Sequence, residues 1–520
     1  MIGPFVHLGR LARAAFVLGR EGAFDLVDDR ELPPGPALLV RALRKLKRGG
    51  TAEQGRLAKA FERLGPSWIK LGQFLATRRD VVGDDIARDL SALQDRLPPF
   101  PDEVARRQIV DAFDRPVEGL YEWFGPPVAA ASIAQVHKAR TGGMDVAVKI
   151  LRPGVEGRFA RDLRTFFFAA WMMERLDPMS QRLRPVDVVQ TLARSVTIEM
   201  DLRMEAAAIS EMAENTKNDP DFRVPSVDWS RSGKRIMTIE WIDGAHIGDR
   251  ATLIAQGHDL KRLGRVVIQS FLRHALHHGF FHADMHPGNL FIDPQGRLVA
   301  VDFGITGRLG RRERRILAQI LWGFIRRDYY ATAKAHFEAG YVPPHHRIED
   351  FAQALRAIGE PLRDKRASEI SMARLLQQLM EVTELFDMRT RPELIMLQKS
   401  MVIIEGVARD LDPELDMWTT AEPVVGDYIR NELGPRRRIE NALEGLQALM
   451  ELAEQVPDAM KRLESFVESI DDTVNNGMKL HPKSATEFGH EIARYARSGR
   501  IALWILVIVA AGIAVGASIF

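Results

Sequence analysis

Residues 282–304 read HADMHPGNLFIDPQGRLVAVDFG, and this stretch decides the fold. Three polar residues stand out in it: Asp284, Asn289 and Asp302. Between the last two lie two apolar runs, Leu290–Ile292 and Leu298–Val301, joined by Asp293-Pro294-Gln295-Gly296. Asp, Pro and Gly supply a turn and the runs supply strands, so the spacing predicts a hairpin. A tight hairpin returns Asp302 to the neighbourhood of Asn289. A carboxylate, an amide oxygen and a second carboxylate then converge, a hard-oxygen set suited to Mg²⁺ held against phosphates. The bland alternative is a turn between two core strands with stray polar residues.

The pattern H-x-D-x-x-x-x-N followed by D-F-G resembles the catalytic-loop and metal-loop signature of the protein-kinase fold. Upstream, Met144, Val146, Val148 and Ile150 alternate with Asp145, Ala147 and Lys149, the period of a strand. Val-Ala-Val-Lys149 resembles the kinase strand whose lysine pairs with nucleotide phosphates, and Thr141-Gly142-Gly143 supplies a turn before it. Where a kinase carries G-x-G-x-x-G over the phosphates, this chain has Pro127-Val-Ala129-Ala130-Ala131-Ser132. The Cβ of alanine penalises positive φ, so the backbone is not free to fold over phosphates as glycine is. This predicts altered nucleotide selectivity and poor or absent transfer to protein. RIMTIEWI, residues 235–242, reads as a strand in the place of the adenine-holding hinge. After Gly304 there is no A-P-E motif, and GITGRLGRRERRILAQ runs almost directly into a helix. That leaves little room for a peptide-docking platform.

Composition fits a globular protein: 520 residues, 46% hydrophobic, net charge +2 and no cysteine. The length allows two or more layers or domains of ~150 residues each. Near-neutral charge gives no global basic field directed at nucleic acid. Without cysteine there are no disulfides, thiolate metal sites or cysteine nucleophiles. His274, His277, His278, His282 and His286 invite a metal reading. A carboxylate di-iron centre needs two E-x-x-H pairs on facing helices, and only Glu487-Phe-Gly-His490 fits.

The last twenty residues, Ile501–Phe520, carry no charge. At ~1.5 Å per residue such a helix spans ~30 Å, a hydrocarbon core. Arg494, Arg497 and Arg500 precede it, which puts the preceding domain on the cytoplasmic side. A single C-terminal anchor is expected. Gly512 and Gly516 form a GxxxG spacing that would let two such helices meet as a homodimer, although glycines are also common in membrane helices. At the other end, FVHLGRLARAAFVLGR could lie on a membrane as a basic amphipathic helix or pack on the main domain, with a targeting peptide, for which no cleavage site is evident, as a third option. Arg311–Arg315 reads as an exposed face, with anionic lipid headgroups the less favoured partner.

The stretch LGPSWIKLGQFLATRRDVVGDDIARDLSALQDRLPPF places Lys70 and Gln73 on one face of a helix and adds Arg78, Arg79, Asp80, Gln94 and Asp95. Lys70-Leu-Gly-Gln73 and its flanks resemble the KxGQ motif of the UbiB family. The resemblance covers roughly residues 50–420 plus the anchor. It implies a protein-kinase-like membrane protein that binds ATP and Mg²⁺, with ATPase activity linked to ubiquinone biosynthesis, isoprenoid quinone precursors or membrane lipid as ligands, and other quinone-biosynthesis proteins as partners. UbiB proteins are similar in carrying an alanine-rich loop, so Ala129, Ala130, Ala131, Ser132 and Val136 are expected at the nucleotide. Glu199-Met-Asp-Leu-Arg-Met-Glu205 resembles the family's ExDxxxE segment. One of its acids should pair with Lys149. Glu199 is the first choice, and Glu205 the second, on the nucleotide or metal.

Asp284 is expected to orient a nucleophile, Asn289 and Asp302 to hold Mg²⁺, Lys149 the phosphates, and Lys70 and Gln73 to cover the peptide entrance. The expected fold is α+β: a two-lobed kinase-like fold with an N-terminal helical extension and a C-terminal transmembrane helix. Its divisions are 1–50 variable, 51–115 KxGQ extension, 116–245 N-lobe with inserted helices, 246–430 C-lobe, 431–500 juxtamembrane and 501–520 anchor. The rivals are a small-molecule phosphotransferase of the aminoglycoside-phosphotransferase type and a pseudokinase scaffold of a quinone-biosynthesis complex.

Overall fold

Alternation along Met144–Leu151 organises the first lobe. Val146, Val148 and Ile150 are buried on one face, while Asp145, Ala147 and Lys149 are half-buried on the other. The computed structural model of the chain describes residues 4–27, 34–47, 55–76, 82–93, 97–176, 184–362, 378, 381–388 and 392–433. Arg78, Arg79, Asp80, Gln94, Asp95, the Glu487–His490 pair, the arginines before the anchor and the expected anchor Ile501–Phe520 with Gly512 and Gly516 lie outside the described residues. Among the described residues no helix is long and apolar enough to cross a membrane.

Four antiparallel strands form the first sheet in the order β1-β2-β3-β5. They are β1 (Trp123–Ala130), β2 (Ala134–Thr141), β3 (Met144–Leu151) and, after the two-residue β4 (Phe222–Arg223) of the other lobe, β5 (Ile236–Glu240). Gly142 and Gly143 close the β2–β3 hairpin with φ of 58° and 71°, the left-handed pair that a two-residue turn requires. The β1–β2 register slips on either side of Pro127, where a missing N–H breaks the ladder. Behind the sheet, the Asp102–Phe113 helix contributes Ala105 and Ile109 to a core with Val146, Val148, Ile150 and Ile236.

Among the described residues, three helices follow β3: Val155–Leu176, Pro185–Glu199 and Leu202–Thr216. The break between the last two falls at Met200-Asp201, where the Asp201 carboxylate accepts from the Arg203 N–H and caps the third helix.

The second lobe hangs on the Leu260–Arg273 helix, which ends in a single π-turn, His274–His278, before β7 (Phe280–His282). A small sheet of order β4-β9-β8-β6 joins β6 (Ala245–His246), β8 (Leu290–Ile292) and β9 (Leu298–Ala300) to β4. The expected β8–β9 hairpin is present. Asp293, fully buried, accepts from the backbone N–H of Gln295 and Arg297 and from the Arg223 and Arg297 guanidinium groups. Beyond Gly304, β10 (Thr306–Arg308) pairs with β7, and the Arg311–Arg326 helix begins three residues later. The Arg311–Arg315 run is not wholly an exposed face. Arg314 donates to the His277 carbonyl at 2.7 Å and Arg312 to the Glu338 carbonyl at 3.1 Å, tying up the open end of the π-turn and a neighbouring helix. Among the described residues, the helices Tyr329–Ala339, Ile348–Gly359, Pro392–Leu411 and Met417–Leu433 follow in this lobe.

The N-terminal helices pack on this body. In Pro4–Arg20, His7 bonds Thr165 at 3.1 Å and stacks on Phe168, so the domain-packing alternative holds for that face. In Pro66–Ala76, Trp68 meets Phe61 and Phe166 edge-on. Gly72 of that helix sits where an added Cβ would come within 2.6 Å of the Phe61 ring and collide with Leu93, so a larger residue would lever the Lys70 helix off its bed.

Candidate functional site

The cleft chemistry is built on Lys149. It stands opposite Val136 in the β2–β3 register, and the two half-buried side chains share the cleft face of the sheet. Its ammonium donates to both carboxylate oxygens of Glu205 at 2.8 and 2.9 Å and to Oδ1 of Asp302 at 3.1 Å. Glu205 therefore takes the place the sequence reading gave first to Glu199. Asp201 causes this: by capping a new helix it sets Glu205 in the first turn, aimed at β3, and leaves Glu199 as the last residue of the helix before. Glu199 instead pairs with Lys70, both side chains largely buried. Gln73 lies one turn further along the Lys70 helix, half-buried.

Charge in the cleft is strongly coupled. Burial opposes the charge on Lys149, but the Asp302 and Glu205 carboxylates outweigh it and hold the amine above the usual lysine value. Lys149 holds Asp302 down at about 2, against burial. Burial pushes Glu205 up to about 7, with Lys149 pulling the other way. Asp302 adopts φ 61°, a left-handed conformation that is uncommon outside glycine and is found at strained functional positions.

The catalytic-loop residues converge as the hairpin predicts. The Val301 N–H donates to the Asn289 carbonyl at 2.9 Å, which brings Asp302 beside Asn289. The Asn289 amide nitrogen donates to the Asp284 carbonyl at 3.1 Å, so its oxygen is the atom left for a cation. His282, fully buried, accepts the Asp284 N–H at Nδ1 and bonds the Val301 carbonyl through Nε2, 3.0 and 3.1 Å respectively. Both ring nitrogens are used in shaping the loop, and burial keeps the ring neutral by lowering its pKa. That role, and not metal ligation, accounts for His282. The alanine turn after β1 is pinned: Ala131 N–H donates to the Ala134 carbonyl, and the Arg152 guanidinium donates to the Ala131 carbonyl at 2.9 Å. Arg152 gave no signal in the sequence.

Asp284, the Asn289 and Asp302 segments joined through Val301, and a strand lysine bonded to a helix glutamate are arranged as in a kinase-like cleft. The ABC1 atypical kinase-like domain matches residues 92–336, and the UbiB helical domain matches residues 355–416. The chain belongs to the UbiB family of atypical kinase-like proteins. Relatives named "Probable protein kinase UbiB" include one from Marinobacter nauticus, 38% identical over 81% of this chain and 78% of its own. The Aeromonas hydrophila relative is 37% identical over 87% and 85%, and that of Pseudomonas aeruginosa 37% over 78% of each. Among solved structures, the Mycobacterium tuberculosis protein Rv3197, in complex with erythromycin, aligns with a TM-score of 0.50 at 23% identity, covering 75% of this chain and 95% of its own. That likeness supports the fold: a kinase-like α+β body with a helical C-terminal region.

The residues present fit Mg²⁺ with a nucleotide. The Asn289 amide oxygen and the Asp302 carboxylate are hard donors on segments joined by the Val301–Asn289 backbone bond, and Lys149, bonded to Asp302, would meet phosphate oxygens. A bound Mg²⁺ would neutralise charge on the β- and γ-phosphates.

Proposed function

We propose that this UbiB-family protein is a membrane-anchored, Mg-ATP-dependent ATPase that supports ubiquinone biosynthesis, acting on or extracting isoprenoid lipid precursors instead of phosphorylating proteins. The observation that carries this reading is the pairing of an intact Lys149–Glu205–Asp302 cluster with the Lys70–Glu199 pair beside it. Lys149 binds phosphates, Glu205 orients Lys149, Asn289 and Asp302 hold the cation, and Asp284 accepts a proton from the attacking oxygen. Ala129–Ser132 and Val136 cover the nucleotide. The KxGQ helix with Lys70 and Gln73 occupies the side from which a peptide would enter, and the short run from Gly304 to the Arg311–Arg326 helix leaves no docking segment. The apolar, uncharged Ile501–Phe520 stretch supplies the anchor, with the kinase-like domain in the cytoplasm.

Quinone profiling of a deletion strain, complemented by wild type and by Asp302→Asn, tests the reading. Wild type is expected to restore the quinone pool and Asp302→Asn to leave it depleted. Restoration by Asp302→Asn would instead support the scaffold. Tracking of labelled γ-phosphate in the presence of lipid extract separates ATPase from phosphotransferase: free phosphate supports the proposal, and a labelled lipid product supports the rival.

A further inference from the structure

The catalytic loop carries no lysine or arginine of its own between Asp284 and Asn289, where Met285, His286, Pro287 and Gly288 stand. His286 spends its Nδ1 accepting the Gly288 N–H at 3.1 Å, capping the turn. Elsewhere in the cleft, Lys149 is held by two carboxylates and Lys70 by Glu199. A cation does reach Asp284, and it comes from far along the chain. Lys399 Nζ lies 3.6 Å from Asp284 Oδ1, with 45% of the Lys399 side chain exposed.

Lys399 belongs to the Pro392–Leu411 helix, inside the segment that matches the UbiB helical domain. Its neighbours hold it firmly. Leu397, Ser400, Ile404, Ala408 and Leu411 are buried, and the Leu411 carbonyl accepts from Arg250 at 3.1 Å. An ammonium has three donors, so a carboxylate at 3.6 Å leaves capacity for further oxygens in the open cleft.

We propose that Lys399 is a cation contributed by the helical domain to the kinase-like cleft, facing the γ-phosphoryl of bound Mg-ATP and fixing the Asp284 carboxylate toward the attacking oxygen. The inference rests on the ATP-turnover reading. In that step a water oxygen bonds the γ-phosphorus, and the bond from phosphorus to the β,γ-bridging oxygen breaks, its electron pair leaving with ADP. The water proton passes to Asp284 and then to solvent. Inorganic phosphate and ADP result. A fixed positive charge beside the transferred group stabilises it more in the transition state than in the ground state. Lys399 is accordingly a positioning residue for Asp284 and a discriminator of ATP from ADP.

The test uses the full chain in detergent or vesicles. Lys399→Ala is expected to lower kcat for ATP hydrolysis about 100-fold. It should weaken Mg-AMP-PNP binding about tenfold, by loss of one charged hydrogen bond, while Mg-ADP affinity stays within about twofold. Lys399→Arg should recover part of both. Because the chain has no cysteine, Lys399→Cys adds a single thiol. Alkylation with 2-bromoethylamine restores an ammonium there, and iodoacetamide gives a neutral control. Recovery of kcat by the first reagent alone supports the proposal even if Lys399→Ala folds poorly. Equal loss of AMP-PNP and ADP binding, or no recovery on aminoethylation, overturns it. A wild type that hydrolyses no ATP would sink the functional reading, while the AMP-PNP to ADP ratio would still decide Lys399.

Discussion

Lys149 donates to both oxygens of Glu205, a residue of the helix that Asp201 starts, and not to Glu199 six positions earlier. The two acids thus have different partners and different consequences. In a double-mutant cycle, Lys149→Ala and Glu205→Ala should each weaken Mg-nucleotide binding, and the double variant should lose much less than the sum. A coupling of about 1–3 kcal/mol is expected for groups in direct contact. Fully additive losses, measured by titration calorimetry, would mean that the two do not act as a unit on nucleotide.

Glu199 and Lys70 form a second pair whose side chains are 18% and 11% exposed. Removing one partner strands a mostly buried charge, which is worse than removing both. Lys70→Ala should therefore lower stability by about 2 kcal/mol, and adding Glu199→Gln should return part of it. Thermal unfolding of the three proteins measures this. A double variant no more stable than Lys70→Ala would show that Glu199 is not the group left stranded.

The difference between these acids marks where sequence reading stops. The Asn289–Asp302 convergence was legible because turn residues and period-two runs are local signals. Lys149 was legible for the same reason, in a strand whose alternation is complete. The assignment of Glu205 depends on a helix break at Met200-Asp201, inside a stretch where every residue is compatible with one continuous helix. Asp201 is a good N-cap, but an acid within a charged helical run is equally a surface residue. Arg152 and Lys399 left no local trace at all. Each acts on a partner distant in sequence, and only the packing of whole elements brings them there.

His274 gives the pH dependence a measurable component. It is fully buried in the π-turn, edge-on to Phe222, and burial, reinforced by His278 and Arg273, lowers its pKa to about 3 from an ordinary 6.5. The unfolded chain takes up this proton near pH 6.5, and the folded one refuses it until near 3. The associated stability is complete above 6.5 and is lost as pH falls through that window, at up to ~1.4 kcal/mol per pH unit. His274→Phe removes the proton and leaves an aromatic side chain against Phe222. Denaturant melts at pH 7.5 and 5 should therefore show the variant gaining on wild type as pH falls. Parallel losses in the two proteins would mean that His274 is not the titrating group.

The alanine turn offers a direct probe of nucleotide selectivity. Its backbone is held by Ala131 to Ala134 and by Arg152, at 2.8 and 2.9 Å. Alanine at position 130 keeps that segment extended, whereas glycine would admit left-handed conformations at a backbone entropy difference of about 0.5–1 kcal/mol. Ala130→Gly should therefore let the loop settle on phosphates and change the ratio of Mg-ATP to Mg-ADP affinity by about three- to fivefold. The effect belongs to the loop and not to the lower lobe, so Asn289→Ala in the same background should weaken both nucleotides without reversing the change in ratio. Affinities unchanged by Ala130→Gly would place the turn away from the nucleotide and leave Lys149 as the upper lobe's contact with phosphate.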